Sequence, residues 1–175
     1  MGVEKMLDST YRGNRLGQSI DDFGELRPSI DIVDSGEALR ERMEEDGYLY
    51  LPGLLDKSEA VEARREILSR LSRMGAVDTD YPLLEGVHKP GGKSGGHYDL
   101  TRNNPSLMQV LYSGPMIQFY QSFLGGPVAH FDYTWFRVKP PGVSSPTTPH
   151  YDIVYMGRGT TNLYTSWTPL GDMPY

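Results

Sequence analysis

A Gly-Gly step at positions 125 and 126 divides this sequence into two stretches with different hydrophobic periods. Before it, apolar residues recur at helical spacing. After it, they fall in β-prone runs punctuated by Pro and Gly. Helices followed by strands predict an α+β fold. The Gly and Pro counts, 20 and 13, suit a loop-rich or β-rich second half.

The first stretch opens with residues 1–35, a polar lead-in with little periodicity, expected to be mobile or loosely packed. Ser35 can N-cap a helix running to Glu45, with Ala38, Leu39 and Met43 on one side and Gly47 ending it. Residues 48–51 read as a short strand closed by Pro52-Gly53. Asp56 through Glu59 forms a capping box that opens a helix to about Arg73. Its apolar stripe is Val61, Ile67, Leu68 and Leu71, read as core. Residues 75–104 are Gly-rich and polar, which predicts a long functional or mobile loop. A helix is expected over 105–123, with Pro105 near its start and a break at Gly114-Pro115. Beyond Gly126, strands are expected at 128–138, 150–156 and 161–168. Residues 36–175 therefore read as one domain behind the lead-in.

Composition removes several functions. There are no cysteines, which excludes disulfides, thiolate metal sites and Cys nucleophiles and fits a reducing, cytoplasmic setting. The formal net charge of −6 argues against electrostatic binding to nucleic acid or to an anionic membrane. No apolar run approaches a transmembrane helix, and the first residues carry no signal-peptide core. Gly92-Lys93-Ser94 lacks the preceding glycine spacing of a phosphate loop, and no G-x-S-x-G elbow occurs.

The chemistry-bearing pattern is His-x-Asp. Three of the four His residues are followed two places later by Asp: His97/Asp99, His130/Asp132 and His150/Asp152. On a strand, residues i and i+2 share a face, so an imidazole nitrogen and a carboxylate oxygen converge as two ligands of a metal. A third ligand and open positions would make the facial triad of a non-haem Fe(II) oxygenase. His97/Asp99 sits in a Gly-rich loop and reads as loop polarity or a substrate contact. In 128–138, His130, Asp132 and Thr134 share one face, and Phe131, Tyr133, Trp135 and Arg137 share the other. Which face is inward stays open by pattern alone. His150/Asp152 follows a rigid Pro-rich turn, Lys139-Pro140-Pro141-Gly142, and begins a strand.

Four segments together resemble the phytanoyl-CoA dioxygenase family. They are Glu45 through Leu54 with its Asp46-Gly47-Tyr48 core, Lys139-Pro140-Pro141-Gly142, Pro149-His150-Tyr151-Asp152, and Trp167-Thr168-Pro169-Leu170-Gly171-Asp172. The resemblance implies a double-stranded β-helix (jelly roll) behind N-terminal helices. It also implies an Fe(II)-dependent dioxygenase that uses 2-oxoglutarate and O2 to hydroxylate a small organic or lipid-like substrate. His150 and Asp152 would then be metal ligands, and Trp135 and Trp167 would line the cosubstrate pocket. The face bearing Trp135 would point inward, and His130 would point away from the metal. The alternative for both Trp residues is core packing.

The family pattern also needs a second His and a cosubstrate-binding Arg on later strands, and no His follows His150. The expectation is therefore a jelly roll incomplete at its C-terminus, its remaining half supplied by a longer chain. The competing expectations are a non-catalytic binding module or inactive fragment of the same fold and, more remotely, a cupin-type hydrolase or isomerase using another metal.

Overall fold

The computed structural model describes residues 10–11, 13–17, 19–92, 97–131, 133–138 and 148–172, with backbone alone for Ile20, His97 and Tyr98. Helices dominate the first part. α1 spans Gly36–Asp46, and the Ser35 side chain accepts a hydrogen bond from the Ala38 amide at its start. Its C-cap is Gly47 at φ 75°, a left-handed conformation that costs glycine nothing. α2 spans Lys57–Arg73, capped by Asp56 accepting from the Glu59 amide at 2.9 Å. The Ser58 hydroxyl and the Glu59 amide together hold the Asp56 carboxyl below the usual carboxylate range. Glu59 accepts from Gln109 at 3.1 Å, so its carboxylate links two helices.

The stretch expected to be one long loop is largely built. Residues 76–89 fold back on themselves through Asp78 N to Val87 O at 2.8 Å and Lys89 N to Ala76 O at 2.9 Å. A 3₁₀ turn at Leu83–Glu85 caps the fold, and Arg64 of α2 donates twice to the Leu84 carbonyl. Ala76 and Val77 are buried, which is why the Gly-rich composition misled: a few apolar anchors suffice to dock a polar loop. A short helix, α3, follows at His97–Thr101.

α3 and α4 meet at Asn104, which is completely buried. Its Oδ1 accepts from the Leu107 amide at 3.0 Å, capping α4 (Pro105–Tyr112), while Nδ2 donates to the Leu100 carbonyl at 3.1 Å. Arg70 of α2 donates to the carbonyls of Asp99, Arg102 and Asn103, closing the α3 end of the junction. The expected break falls at Ser113, whose extended backbone separates α4 from α5 (Gly114–Leu124).

Two apolar clusters result. Ala63, Ile67, Leu68 and Leu71 of α2 pack with Leu100, Leu107, Val110, Ala76 and Val77. Leu39 of α1 packs with Phe119 and Phe123 of α5. Close approach between α1 and α5 depends on Gly36: a β-carbon there would lie 2.1 Å from the Ser122 carbonyl oxygen. Arg40 then donates to the Phe123 carbonyl at 2.8 Å, where cations suit a helix C-terminus.

The segment 27–33, read from sequence as lead-in, is bound to this unit. Ser29 N donates to Tyr50 O at 2.7 Å, and Arg42 donates to the Pro28 carbonyl at 2.9 Å. The residues expected to form the strand 48–51 make one parallel bridge, Pro28 with Tyr50. The sheet found among the described residues is a small antiparallel hairpin, β1 (Thr10–Tyr11) with β2 (Asn14–Arg15).

Among the described residues the three strands expected after Gly126 are not laddered. The described residues of 128–138 and 161–168 carry no regular strand pairing, and Ile153–Met156 is a helical turn, α6. A strand's hydrogen bonds come from a neighbour. Among the described residues no strand lies alongside these segments.

Candidate metal and cosubstrate site

The two segments flanking the site keep the two-residue alternation of a strand although neither is paired. Along 130–138 the described even positions face the helices. The His130 ring stacks on Tyr112 of α4 with centroids 3.9 Å apart. The Thr134 and Tyr112 hydroxyls are hydrogen-bonded at 2.8 Å. Phe136 and Val138 pack on the α2–α4 cluster. The odd positions Phe131, Tyr133 and Trp135 are exposed. Tyr133 meets Trp135 edge-on at 4.8 Å, and the Arg137 guanidinium lies 5.2 Å from the Trp135 ring centre. The face left open by pattern alone is thereby assigned: His130 lies on the helical side and Trp135 on the other. Asp132 lies outside the described residues.

The segment 164–170 behaves in the same way. Tyr164 meets Phe123 of α5 edge-on at 4.7 Å, Ser166 is hydrogen-bonded to the Tyr120 hydroxyl, and Leu170 packs into the α2–α4 cluster. Burial against this segment pushes the Tyr120 phenol up from its ordinary pKa, with the Ser166 hydrogen bond opposing. Trp167 is 76% exposed. By the same alternation Thr165 and Trp167 point away from α5.

His150 and Asp152 converge, but not on a strand. His150 and Tyr151 carry no regular secondary structure, and the chain turns at Asp152, whose backbone is already helical at φ −60° and ψ −33°. α6 follows at once. The turn closes through local bonds such as Tyr155 N to Asp152 O at 2.9 Å, which need no partner strand. His150 Nε2 and Asp152 Oδ1 are 3.3 Å apart, both side chains partly exposed.

Both groups are oriented by neighbours. His150 Nδ1 lies 2.7 Å from the Thr148 carbonyl oxygen. A carbonyl can only accept, so Nδ1 carries a proton and Nε2 is the nitrogen presented to Asp152. Asp152 Oδ2 accepts from the Thr165 hydroxyl at 2.6 Å. An imidazole nitrogen and a carboxylate oxygen this close share a proton or a cation between them. Two ligand atoms each about 2.1 Å from one ion, at a right angle, lie about 3 Å apart, so the observed separation fits a shared metal.

Of the other His-x-Asp pairs, Asp132 lies outside the described residues and His97/Asp99 falls on a helix. Asp99 is in α3, where i and i+2 diverge by about 200° around the axis. Among the described residues no group of three His, Cys, Asp or Glu side chains gathers to hold a metal. The Lys139–Gly142 turn lies outside the described residues. Sequence reasoning missed Thr165. Its one signal is position, two residues before Trp167 on the same face.

Comparison with known proteins adds two relatives. The chain is 28% identical over 167 residues to 1-deoxypentalenic acid 11-beta-hydroxylase of Streptomyces exfoliatus, covering 89% of this chain and 54% of that protein. It is 29% identical over 162 residues to the enzyme of the same name from Streptomyces arenae, covering 86% and 54%. No family model and no solved structure matches. The chain thus spans about half the length of the curated relatives it matches, and what it shares with them is similarity to enzymes named as hydroxylases.

Proposed function

We propose that this chain is part of an Fe(II)- and 2-oxoglutarate-dependent dioxygenase that hydroxylates a small organic acid. The observation that carries the reading is the convergence of His150 Nε2 and Asp152 Oδ1, with the imidazole proton committed to Thr148. The similarity to hydroxylases supports it, and their printed name points to a small carboxylic acid as substrate class. The fold proposed is a double-stranded β-helix whose outer side is covered by α2, α4 and α5. Completion of the sheets, the second His and the cosubstrate-binding Arg would come from protein beyond the span matched here. Partners are a small-molecule substrate and cosubstrate, with no nucleic acid or membrane. Among the described residues no helix is long and apolar enough to cross a membrane.

In this reading His150 and Asp152 hold the metal. Bound there, Fe(II) with O2 and 2-oxoglutarate would supply the oxidising chemistry for hydroxylation, with succinate and CO2 as the cosubstrate's products. The protein's work is orientation and exclusion of water. Trp135 and Trp167, on the sides of their segments away from the helices, would wall the cosubstrate pocket.

The test is anaerobic addition of Fe(II) and 2-oxoglutarate to the chain and to a form extended to the relatives' length. A metal-to-ligand absorption band is expected, then succinate once O2 is admitted. His150→Ala and Asp152→Ala should each remove both. A band that survives both substitutions, or none in either form, sinks the reading.

A further inference from the structure

Asp152 has two carboxylate oxygens, and the structure treats them differently. Oδ1 faces His150 Nε2 at 3.3 Å, whereas Oδ2 is taken by the Thr165 hydroxyl at 2.6 Å. Thr165 stands thirteen residues further along, on a segment fixed independently to α5 through Tyr164 and Ser166. Its hydroxyl is therefore held by the helical layer rather than by the turn that carries Asp152.

We infer that Thr165 is a positioning residue that restricts Asp152 to a one-oxygen metal ligand, an inference that rests on the proposed metal site. The physical argument is short. A free carboxylate beside an ion can bind through one oxygen or two. A donor already bonded to Oδ2 removes that oxygen's readiest lone pair and fixes the rotation of the carboxyl plane. Oδ1 is then the atom aimed at the ion, and a coordination position that a two-oxygen carboxylate would fill stays open for other ligands. The same bond ties the metal-binding turn to the segment bearing Trp167, since Thr165 and Trp167 lie on one side of that segment. Hydrogen-bond partners of metal ligands commonly govern metal affinity in this manner.

The experiment is anaerobic titration with Co(II) as a spectroscopic stand-in for Fe(II), on the form extended to the relatives' length, as wild type, Thr165→Val, Thr165→Ser, His150→Ala and Asp152→Ala. Thermal melting without metal serves as the control for folding. Thr165→Val keeps the shape and removes the hydroxyl. It should weaken Co(II) binding by about 10- to 100-fold and change the visible band pattern that reports coordination number. Thr165→Ser should restore both. The metal-free melting temperature should stay unchanged, because Thr165 is exposed. If Thr165→Val binds Co(II) with wild-type affinity and spectrum while Asp152→Ala loses it, the positioning role is wrong and the metal site stands. If His150→Ala and Asp152→Ala bind as wild type does, or wild type does not bind, the metal site itself falls and this role with it.

Discussion

Between Ser35 and Gly125 the described residues satisfy much of their backbone within helices and their caps, whereas those from Phe131 to Asp172 carry little regular structure and are attached through side chains. The first region buries Leu39, Ala63, Leu107 and Phe123 almost completely, while the second exposes Trp135, Tyr151, Tyr155 and Trp167. The contrast follows from how each type of structure is closed. A helix makes its bonds to residues four places away, so a segment and its caps suffice. A strand depends on a neighbour, and its two faces are fixed only by what packs on each. The proposed metal and cosubstrate residues sit in the region that depends on others. The stability sits in the region that does not.

That comparison can be broken most directly at Phe123, which belongs to the first region and touches Tyr164 of the second. Phe123→Ala should cost about 3–5 kcal/mol in urea unfolding. Both tryptophans, Trp135 and Trp167, lie in the second region, so their fluorescence reports it apart from the far-ultraviolet helical signal. The two signals should fall at one lowered midpoint. A fluorescence midpoint that stays put would mean that the second region does not hang on the helices.

A smaller effect sharpens the account of the caps. The Asp56 carboxyl is held below its usual range, so its charge stabilises the folded state above the unfolded carboxylate pKa. That contribution fades as pH falls through the lowered folded value. Asp56→Asn keeps a good cap without the charge. Its stability deficit against wild type should be present near neutral pH and shrink in acid. A deficit independent of pH would show that charge at this cap contributes nothing. The smallest effect is expected at Trp135, which is 55% exposed. Trp135→Ala should shift stability by no more than about 0.5 kcal/mol, while weakening 2-oxoglutarate binding measured by the absorption band. A large loss of stability would move Trp135 from pocket wall to core.

The same contrast decides what could be read from the sequence. Ser35, Gly47 and Asp56 announced their helix ends because capping chemistry is local, and the Gly114-Pro115 break lay one residue from where the chain extends at Ser113. Asn104 escaped notice because Pro105 is the louder signal, yet its side chain bonds the backbone on both sides of the junction. In the second region the alternation of 130–138 was legible, but pairing was not, since nothing within a strand names its neighbour. His150 and Asp152 were recognised as converging for a reason that differs from the observed one: a turn into α6, rather than a strand face, brings them together. Thr165 could not be found by spacing to Asp152, because thirteen residues and a change of direction separate them.

The contact between Arg40 and the end of α5 also sets a timetable for synthesis. The Arg40 guanidinium donates to the Phe123 carbonyl across 83 residues of chain. A ribosome adding roughly 5–20 residues per second needs about 4–17 s to deliver that carbonyl after Arg40 has been made. During this interval α1 has been translated but not its docking partner, and Leu39 has neither Phe119 nor Phe123 to bury against. The α2–α4 cluster is encoded within a shorter span and can close first. Helix α1 thus waits undocked while the α2–α4 cluster that follows it in sequence can already close.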